Sequence, residues 1–198
     1  MYSPAVFRLD DRDALLKQAA ADPFATLITS GAGGLAVSHL PLLVDPGRGV
    51  LRGHLARANG QLAHLAAGAE ALAIFHGPHG YVSPSWYRSA PPAVPTWNYV
   101  VVHARGRART IDEPALAILL DELIAAFDTT GFRFDPPADY RQRMLGAIAG
   151  FEIAIDSLEG KFKLSQNRPP EDRESVADRL SRGDEASRAL AALMRAQP

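Results

Sequence analysis

The chain contains no cysteine in its 198 residues. That absence excludes disulfides, thiolate-ligated metals, iron–sulfur clusters and a catalytic thiol. An excess of one charge is also missing, since 21 basic residues face 22 acidic ones. The composition therefore gives no general attraction to nucleic acid or to an anionic membrane.

Long apolar runs are absent as well. No stretch approaches the roughly 20 apolar residues that a membrane-spanning helix needs. The beginning, MYSPAVFRLDDRD, has no apolar segment flanked by positive charge, so it is not typical of a signal peptide. We therefore expect no membrane association and a cytoplasmic location.

What remains is the composition of an ordinary globular protein, with 47% hydrophobic and 22% charged residues. The length suffices for one well-cored domain. We predict a single domain over residues 1–158. Residues 159–198 are expected to form a basic segment and a helical tail that packs on the same domain or on a dimer partner.

Short runs of β-forming residues alternate with turn residues through most of the chain. Strands are predicted at 24–30, 35–44, 50–55, 71–75, 99–111 and 151–155. Helices are predicted at 10–21, 56–68, 113–127, 138–148, 175–182 and 185–195. The linkers between the first three strands are too short for a parallel crossover. The pattern predicts an α+β fold built on a six-stranded antiparallel barrel with peripheral helices.

Glycines 31, 33 and 34 follow the first predicted strand. A glycine-rich turn after a strand can hold a pyrophosphate, but only when a helix follows. Here another strand follows, so the sequence predicts a hairpin turn and not a dinucleotide-binding loop.

Both tryptophans lie in the stretch 77–103, GPHGYVSPSWYRSAPPAVPTWNYVVVH. Its prolines and glycines predict a shaped loop up to the strand at 99–111. Aromatic rings mixed with a few polar groups suit a planar ligand. The same rings also suit a loop that closes the end of a barrel, and the residues leave both interpretations open.

The segment LRGHLARAN at 51–59 places a predicted strand end beside the start of a helix. Arg52, His54, Arg57 and Asn59 fall there. A phosphate monoester binds well where basic and amide side chains meet the first N–H groups of a helix. A plain capped helix with surface arginines explains the same residues equally well.

Two further basic patterns stand out. Lys161 and Lys163 alternate with Phe162 and Leu164, so both cations share one face of an extended segment and suit an anion. They suit an exposed strand as well. Arg105, Arg107 and Arg109 form a stripe on one face of the strand at 99–111, which favours a solvated or intersubunit surface over a nucleic-acid groove.

The histidines do not form a zinc motif, because no HExxH spacing or acidic partner accompanies them. A haem iron needs only one axial imidazole aimed at an apolar slot. His54 or His103 could supply that ligand.

Several motifs, taken together and in order, resemble the PaiB-like family, also called FMN-binding negative transcriptional regulators. They are MYSP, SHLPLLVDP at 38–46, RGHLARAN at 52–59, GPHGYVSPSWY at 77–87, VPTWNYVVVHARG at 94–106 and EGKFKLSQNRP at 159–169. The resemblance extends from residue 1 to about 175.

This resemblance implies an FMN-binding split β-barrel related to pyridoxamine-phosphate oxidases, and a homodimer with cofactor sites at its interface. It implies that LRGHLARAN holds the FMN phosphate, which favours Arg57 and Asn59 with Arg52 and His54 beside them. Trp97, Asn98, Lys161 and Lys163 become further cofactor-binding candidates. Catalytic residues and metal ligands are not assigned.

Three functions follow as expectations. The first is a flavin-binding dimer with oxidoreductase or flavin-linked regulatory function, in which redox chemistry belongs to the isoalloxazine. The alternative is a haem b enzyme similar to piperazate synthases, with His54 as axial ligand. A transcriptional regulator is the third, although no helix-turn-helix pattern and no net positive charge support nucleic-acid binding.

Overall fold

A computed structural model describes residues 1–31, 33–89 and 92–196 and shows a mixed α+β fold. The strands are β1 (Arg8–Leu9), β2 (Phe24–Gly31), β3 (Gly34–Pro41), β4 (Leu43–Asp45), β5 (Val50–Ala56), β6 (Glu70–Val82), β7 (Thr96–Thr110) and β8 (Ile148–Lys163). The α-helices are α1 (Arg12–Ala21), α2 (Gln61–Ala66), α3 (Glu113–Phe127), α4 (Ala138–Gly146), α5 (Pro170–Leu180) and α6 (Glu185–Arg195). Short 3₁₀ turns occupy Ala5–Phe7 and Pro84–Trp86.

The strands form one sheet with the order β3-β2-β6-β7-β8-β5-β4, and β1 pairs with β8. The β2–β3, β2–β6, β4–β5, β5–β8 and β1–β8 pairings are antiparallel. The predicted hairpin is confirmed, because Gly31 pairs with Gly34 at its end. Gly34 has a φ of 95°, a conformation that glycine adopts without steric cost.

The chain divides into two compact units. One contains residues 19–75 and 104–158, and the other contains residues 1–18, 76–103 and 159–198. In the first unit, Leu27, Leu51, Phe75, Phe151 and Ile153 are almost completely buried. Gly106 lies in this unit directly against the Ala154 carbonyl, where an added Cβ would collide with it.

The second unit has its own buried side chains, among them Leu15, Leu164, Leu190 and Met194. The tail helices α5 and α6 contact each other, and Leu180 and Leu190 approach the Cα side of Gly80 on β6. The tail therefore packs on residues of the same chain.

The structure differs from the sequence expectations in several places. The helix α2 begins five residues later than predicted, at Gln61, and α5 begins five residues earlier, at Pro170. The predicted strand 35–44 is divided into β3 and β4, and β1 is an additional short strand, so the sheet has eight strands among the described residues. The shaped loop predicted from Gly77 is shorter than expected, because β6 continues to Val82 and β7 begins at Thr96. Residues 90 and 91 of that stretch lie outside the described part.

Another difference concerns the segment after Leu158, where the sequence predicted no strand. In the structure β8 continues through this segment as far as Lys163. The segment pairs with β1, where Arg8 lies opposite Lys161. Pairing with β1, which lies about 150 positions earlier, is a tertiary event that the local polar composition does not indicate. In the part of the chain that the structure describes, every helix is too short or too polar to cross a bilayer.

Candidate functional site

The predicted phosphate-binding segment lies on β5 and the turn that follows it. Leu51, Gly53 and Leu55 are buried, whereas Arg52 and His54 occupy the other face of the strand. The Arg52 guanidinium lies 2.5 Å from a Glu122 carboxylate oxygen and 3.5 Å from one of Asp45. With 13% of its side chain exposed, Arg52 is an internal ion-pair partner in this structure.

Arg57 and Asn59 also contact the protein itself. The Arg57 Nε donates to the Gly146 carbonyl at 3.0 Å, and Nη2 donates to the Ile148 carbonyl at 2.9 Å. Asn59 donates to Ser38 Oγ and accepts from the Gln61 backbone N–H at the start of α2. A guanidinium has five N–H donors, so about three remain on Arg57 for a ligand. Arg57 and Asn59 thus lie close together in the chain, and their side chains bond to other groups of the protein.

His54 faces an apolar cavity of about 680 Å³, which we call the α3–α4 cavity. It is lined by His54, Leu120, Leu123, Ile124, Phe127, Asp128, Phe132, Phe134, Tyr140, Met144, Ala147 and Ile148. Burial lowers the pKa of His54 below its ordinary value, because the imidazolium loses hydration there. Burial therefore favours the neutral form of the ring.

A turn anchored by Asp128 forms one side of this cavity. The Asp128 Oδ1 accepts from the backbone N–H groups of Thr130 and Phe132 at 2.8 and 3.0 Å. The bond from Phe132 is the main reason that the pKa of this carboxyl is lowered. The turn places the rings of Phe132 and Phe134 6.5 Å apart, and both line the cavity.

The other candidate residues meet on one surface of the unit that contains 76–103 and 159–198. We call it the lysine–aromatic face, formed by His76, His79, Trp97, Tyr99, Lys161 and Lys163. The His and aromatic members line a mainly apolar cavity of about 370 Å³. Trp97 is 53% exposed, and its ring lies 6.3 Å from that of His79.

The two lysines border this cavity through its aromatic residues. Lys161 Nζ lies 5.5 Å from the Tyr99 ring centroid and donates to the Tyr2 carbonyl at 3.1 Å. Lys163 Nζ donates to the Trp97 carbonyl at 2.6 Å and to Thr96 Oγ1. The sequence-based expectation that both cations share one face is consistent with this geometry.

The surroundings of Lys163 disfavour its charge. Burial is the main cause that lowers the pKa of Lys163, and the positive charges of Lys161 and Arg168 lower it further. The oxygens that it contacts are neutral, and no carboxylate within the described residues forms a salt bridge with it. The attraction of an added anion would offset both the cost of desolvating the Lys163 ammonium and its repulsion by the neighbouring cations.

Asn98 has a different environment. It is 1% exposed and bonds through Nδ2 to Ser165 Oγ at 2.9 Å and to the Met194 sulfur at 3.4 Å. Ser165 has a φ of 65°, an uncommon conformation for a residue other than glycine. Asn98 thus fixes the turn that follows β8 and holds it against α6.

Two further polar residues belong to the same unit as this face, and the sequence did not indicate the role of one of them, Asp172. Asp172 is fully buried and accepts from the backbone N–H groups of Arg88 and Ser89 and from Ser89 Oγ. Arg168 stacks 4.4 Å from the Tyr87 ring centroid. The motif EGKFKLSQNRP includes Arg168 and ends before Asp172. No local sequence signal indicates that Asp172 binds a segment about 84 positions away.

A third polar group lies in the unit that contains 104–158. Glu152 is buried between Arg48, at 2.7 Å, and Arg109, at 2.5 Å. They line an opening of about 470 Å³ together with Arg52 and Asp112. Its positive charges already have carboxylate partners. Among the described residues, no group of three or more His, Asp or Glu side chains has metal-binding geometry.

Comparisons with known proteins agree with this architecture. A protease synthase and sporulation protein, PAI 2, of Bacillus subtilis is 31% identical over 91% of this chain and 89% of its own length. An uncharacterized protein of Emericella nidulans, AN0679, is 31% identical over 80% of each chain.

Among solved structures, the flavocytochrome Anf3 of Azotobacter vinelandii matches with a TM-score of 0.65, 18% identity, and coverage of 84% of this chain and 74% of its own. A FAD and haem binding protein of Mycobacterium smegmatis matches with a TM-score of 0.63, 21% identity, and coverage of 86% and 79%. These similarities confirm the predicted α+β split-barrel fold.

The family model described as "Putative FMN-binding domain" matches residues 1–157. It names the cofactor that the sequence predicts, FMN, and gives no support to haem. The match and the Bacillus relative together show that this chain belongs to that FMN-binding family.

Proposed function

We propose that this protein binds FMN on the lysine–aromatic face, with the phosphate at Lys161 and Lys163 and the isoalloxazine against Trp97 and Tyr99. The observation that carries the proposal is Lys163, a half-buried cation repelled by Lys161 and Arg168 and contacted by neutral oxygens. A dianionic phosphate would supply the missing charge.

The residues present suit both parts of the cofactor. A cavity of about 370 Å³ falls within the range of roughly 300–1,000 Å³ that is usual for small-molecule sites. Its aromatic and imidazole walls suit a planar ring, which prefers offset or edge contacts with such side chains. When bound, FMN would supply the redox chemistry. The chain's own residues would orient it and balance its charge.

The candidates on β5 and in the turn after it are weaker candidates for the phosphate site under this proposal. Arg52 already has two carboxylate partners, and Asn59 begins α2. Arg57 retains free donors and is exposed, so it is the alternative phosphate ligand.

The test is a titration that compares FMN with riboflavin, which lacks the phosphate. The variants are Lys161→Gln and Lys163→Gln, with Lys17→Gln as the control because Lys17 is the remaining lysine and is exposed on α1. A hydrogen bond to a charged group contributes about 1.5–3 kcal/mol, so each site variant should weaken FMN about 10- to 100-fold.

Riboflavin binding should change little in the same variants, and Lys17→Gln should match the wild type for both ligands. Thermal melts of each variant check that the loss of Lys163 contacts has not unfolded the turn. A wild type that takes up no FMN refutes the function. Normal FMN affinity in both lysine variants refutes the placement, and Arg57→Gln then becomes the variant to test.

Homodimer formation remains part of the proposal. Tyr2, Tyr81 and Trp97 are 85%, 44% and 53% exposed, and exposed aromatic side chains are typical of interfaces. Sedimentation velocity at micromolar concentration should show a species of twice the chain mass. A monomer at all concentrations with FMN bound contradicts it.

Haem is the second candidate because His54 borders an apolar cavity. The lining residues that the structure describes, however, include a carboxylate and no lysine or arginine for the haem propionates. A haemin titration distinguishes the two. We expect no Soret band that depends on His54. A role in transcriptional regulation is a separate proposal. An electrophoretic mobility shift of a promoter fragment at low salt would support it.

A further inference from the structure

We propose that the α3–α4 cavity is a second ligand site, which binds a neutral aromatic molecule carrying one hydrogen-bonding group that pairs with His54. This site lies within the unit of residues 19–75 and 104–158, and none of the residues proposed for FMN line it.

The size and the walls of the cavity define the ligand's bulk. Its volume of about 680 Å³ is typical of sites for small organic molecules. The walls come from α3, the Asp128 turn, α4 and the first residue of β8, and they are almost entirely aliphatic or aromatic. Several wall side chains remain partly open to solvent, including Phe127 at 43%, Phe132 at 55% and Met144 at 42%. Covering such side chains with an apolar ligand is favourable.

The charges at the cavity define the ligand's class. Asp128 is the carboxylate in the lining, and its oxygen is occupied by the backbone of its own turn. Lysine and arginine are absent from the described lining residues, and the guanidinium of Arg57 is bonded to the carbonyls of Gly146 and Ile148. An anionic ligand such as FMN would therefore meet no cationic side chain among the described residues of the cavity wall itself, which favours a neutral ligand there.

His54 supplies the polar contact. It projects from β5 on the face opposite buried Leu55 and is half-buried. A neutral imidazole has one donor and one acceptor nitrogen, so it can pair with either a hydroxyl or an N–H group. An apolar cavity with one such group fixes the orientation of a ligand without requiring charge.

The probe for the test is N-phenyl-1-naphthylamine, a neutral aromatic amine whose fluorescence rises in apolar surroundings. We expect saturable binding to the full chain. Met144→Lys places a cation at the cavity and should weaken the probe at least about tenfold. Ile118→Lys is the matched control, because Ile118 is on α3, is 58% exposed and does not line the cavity.

A second variant tests the hydrogen bond. His54→Leu keeps an apolar side chain of similar length and should weaken the probe about two- to tenfold, the range expected for one neutral hydrogen bond. Naphthalene, which lacks the N–H group, competes for the cavity but should bind His54→Leu and the wild type equally.

Four results overturn the proposal. One is probe fluorescence that is the same in Met144→Lys and in the wild type. Displacement of the probe by FMN identifies the cavity as the flavin site. A His54-dependent Soret band that appears as haemin displaces the probe makes the occupant haem. Failure of the wild type to bind the probe is the fourth, and a dimer that dissociates in Met144→Lys would then identify the occupant as a second copy of the chain. Lys161 and Lys163 belong to the other unit, so the outcome of the FMN titration with the lysine variants leaves this proposal unaffected.

Discussion

The ion pairs of Glu152 provide a quantitative test of how the structure is stabilised. This side chain is 7% exposed and lies between Arg48 and Arg109, whose side chains are 50% and 68% exposed. Replacing Glu152 with Gln keeps its shape and removes its charge. We expect this substitution to destabilise the fold moderately.

The exposure of the two arginines sets the magnitude. Removing one partner of a fully buried pair costs about 3–5 kcal/mol, because the remaining charge stays desolvated. Arg48 and Arg109 are at least half exposed and can be rehydrated, so solvent screening reduces the loss to about 1–2 kcal/mol. For a chain of this size, that corresponds to a melting temperature lower by about 2–8 °C.

The pH dependence gives a second measurement. Burial alone would raise the pKa of Glu152, but hydrogen bonds and the positive charges of Arg48 and Arg109 outweigh it and lower the pKa. A carboxyl with a lowered folded pKa stabilises the protein above its unfolded pKa of about 4.3 and loses that contribution as the pH falls through the folded value. The difference between wild type and Glu152→Gln should be full at pH 7 and should shrink below about pH 4.

Thermal denaturation followed by circular dichroism measures both effects. Glu70→Gln is the control, because Glu70 is an exposed glutamate at the start of β6. Equal melting temperatures for Glu152→Gln and wild type at pH 7 would refute the reasoning. So would a difference that persists unchanged at pH 3.

Two further predictions concern close contacts within each unit. Gly106→Ala should destabilise the protein by about 3 kcal/mol in urea denaturation, because the new Cβ meets the Ala154 carbonyl oxygen, whereas Gly33→Ala enters open space and should be nearly neutral. Asp172→Asn should lower the melting temperature more than Asp156→Asn, since an amide cannot accept from all three donors that Asp172 now satisfies. A melt indistinguishable from the control in either pair contradicts the prediction.

Local signals predicted the helices and hairpins well. The helix predicted at 113–127 has those bounds in the structure, because Asp112 caps it, Pro114 fits its first turn and its apolar residues recur every three or four positions. The stripe predicted on β7 is also present, because Arg105, Arg107 and Arg109 alternate with the buried residues Ala104, Gly106 and Ala108. These features depend on neighbours within a few residues.

The motifs of the chain also identified its family. They predicted a split-barrel fold and FMN, which the family match and the structural similarities confirm. The eight site residues remain predictions, but the structure separates them into two groups, with Arg52, His54, Arg57 and Asn59 in one unit and Trp97, Asn98, Lys161 and Lys163 in the other.

Sequence alone thus determined the fold class, the cofactor and most helix bounds, because periodicity, capping and motif order are readable along the chain. Tertiary structure decided what each polar side chain contacts. Arg57 bonds to carbonyls about 90 positions away, and His54 opens on a cavity whose walls come from α3 and α4. Such partners depend on chain folding over long separations, and no local pattern encodes them.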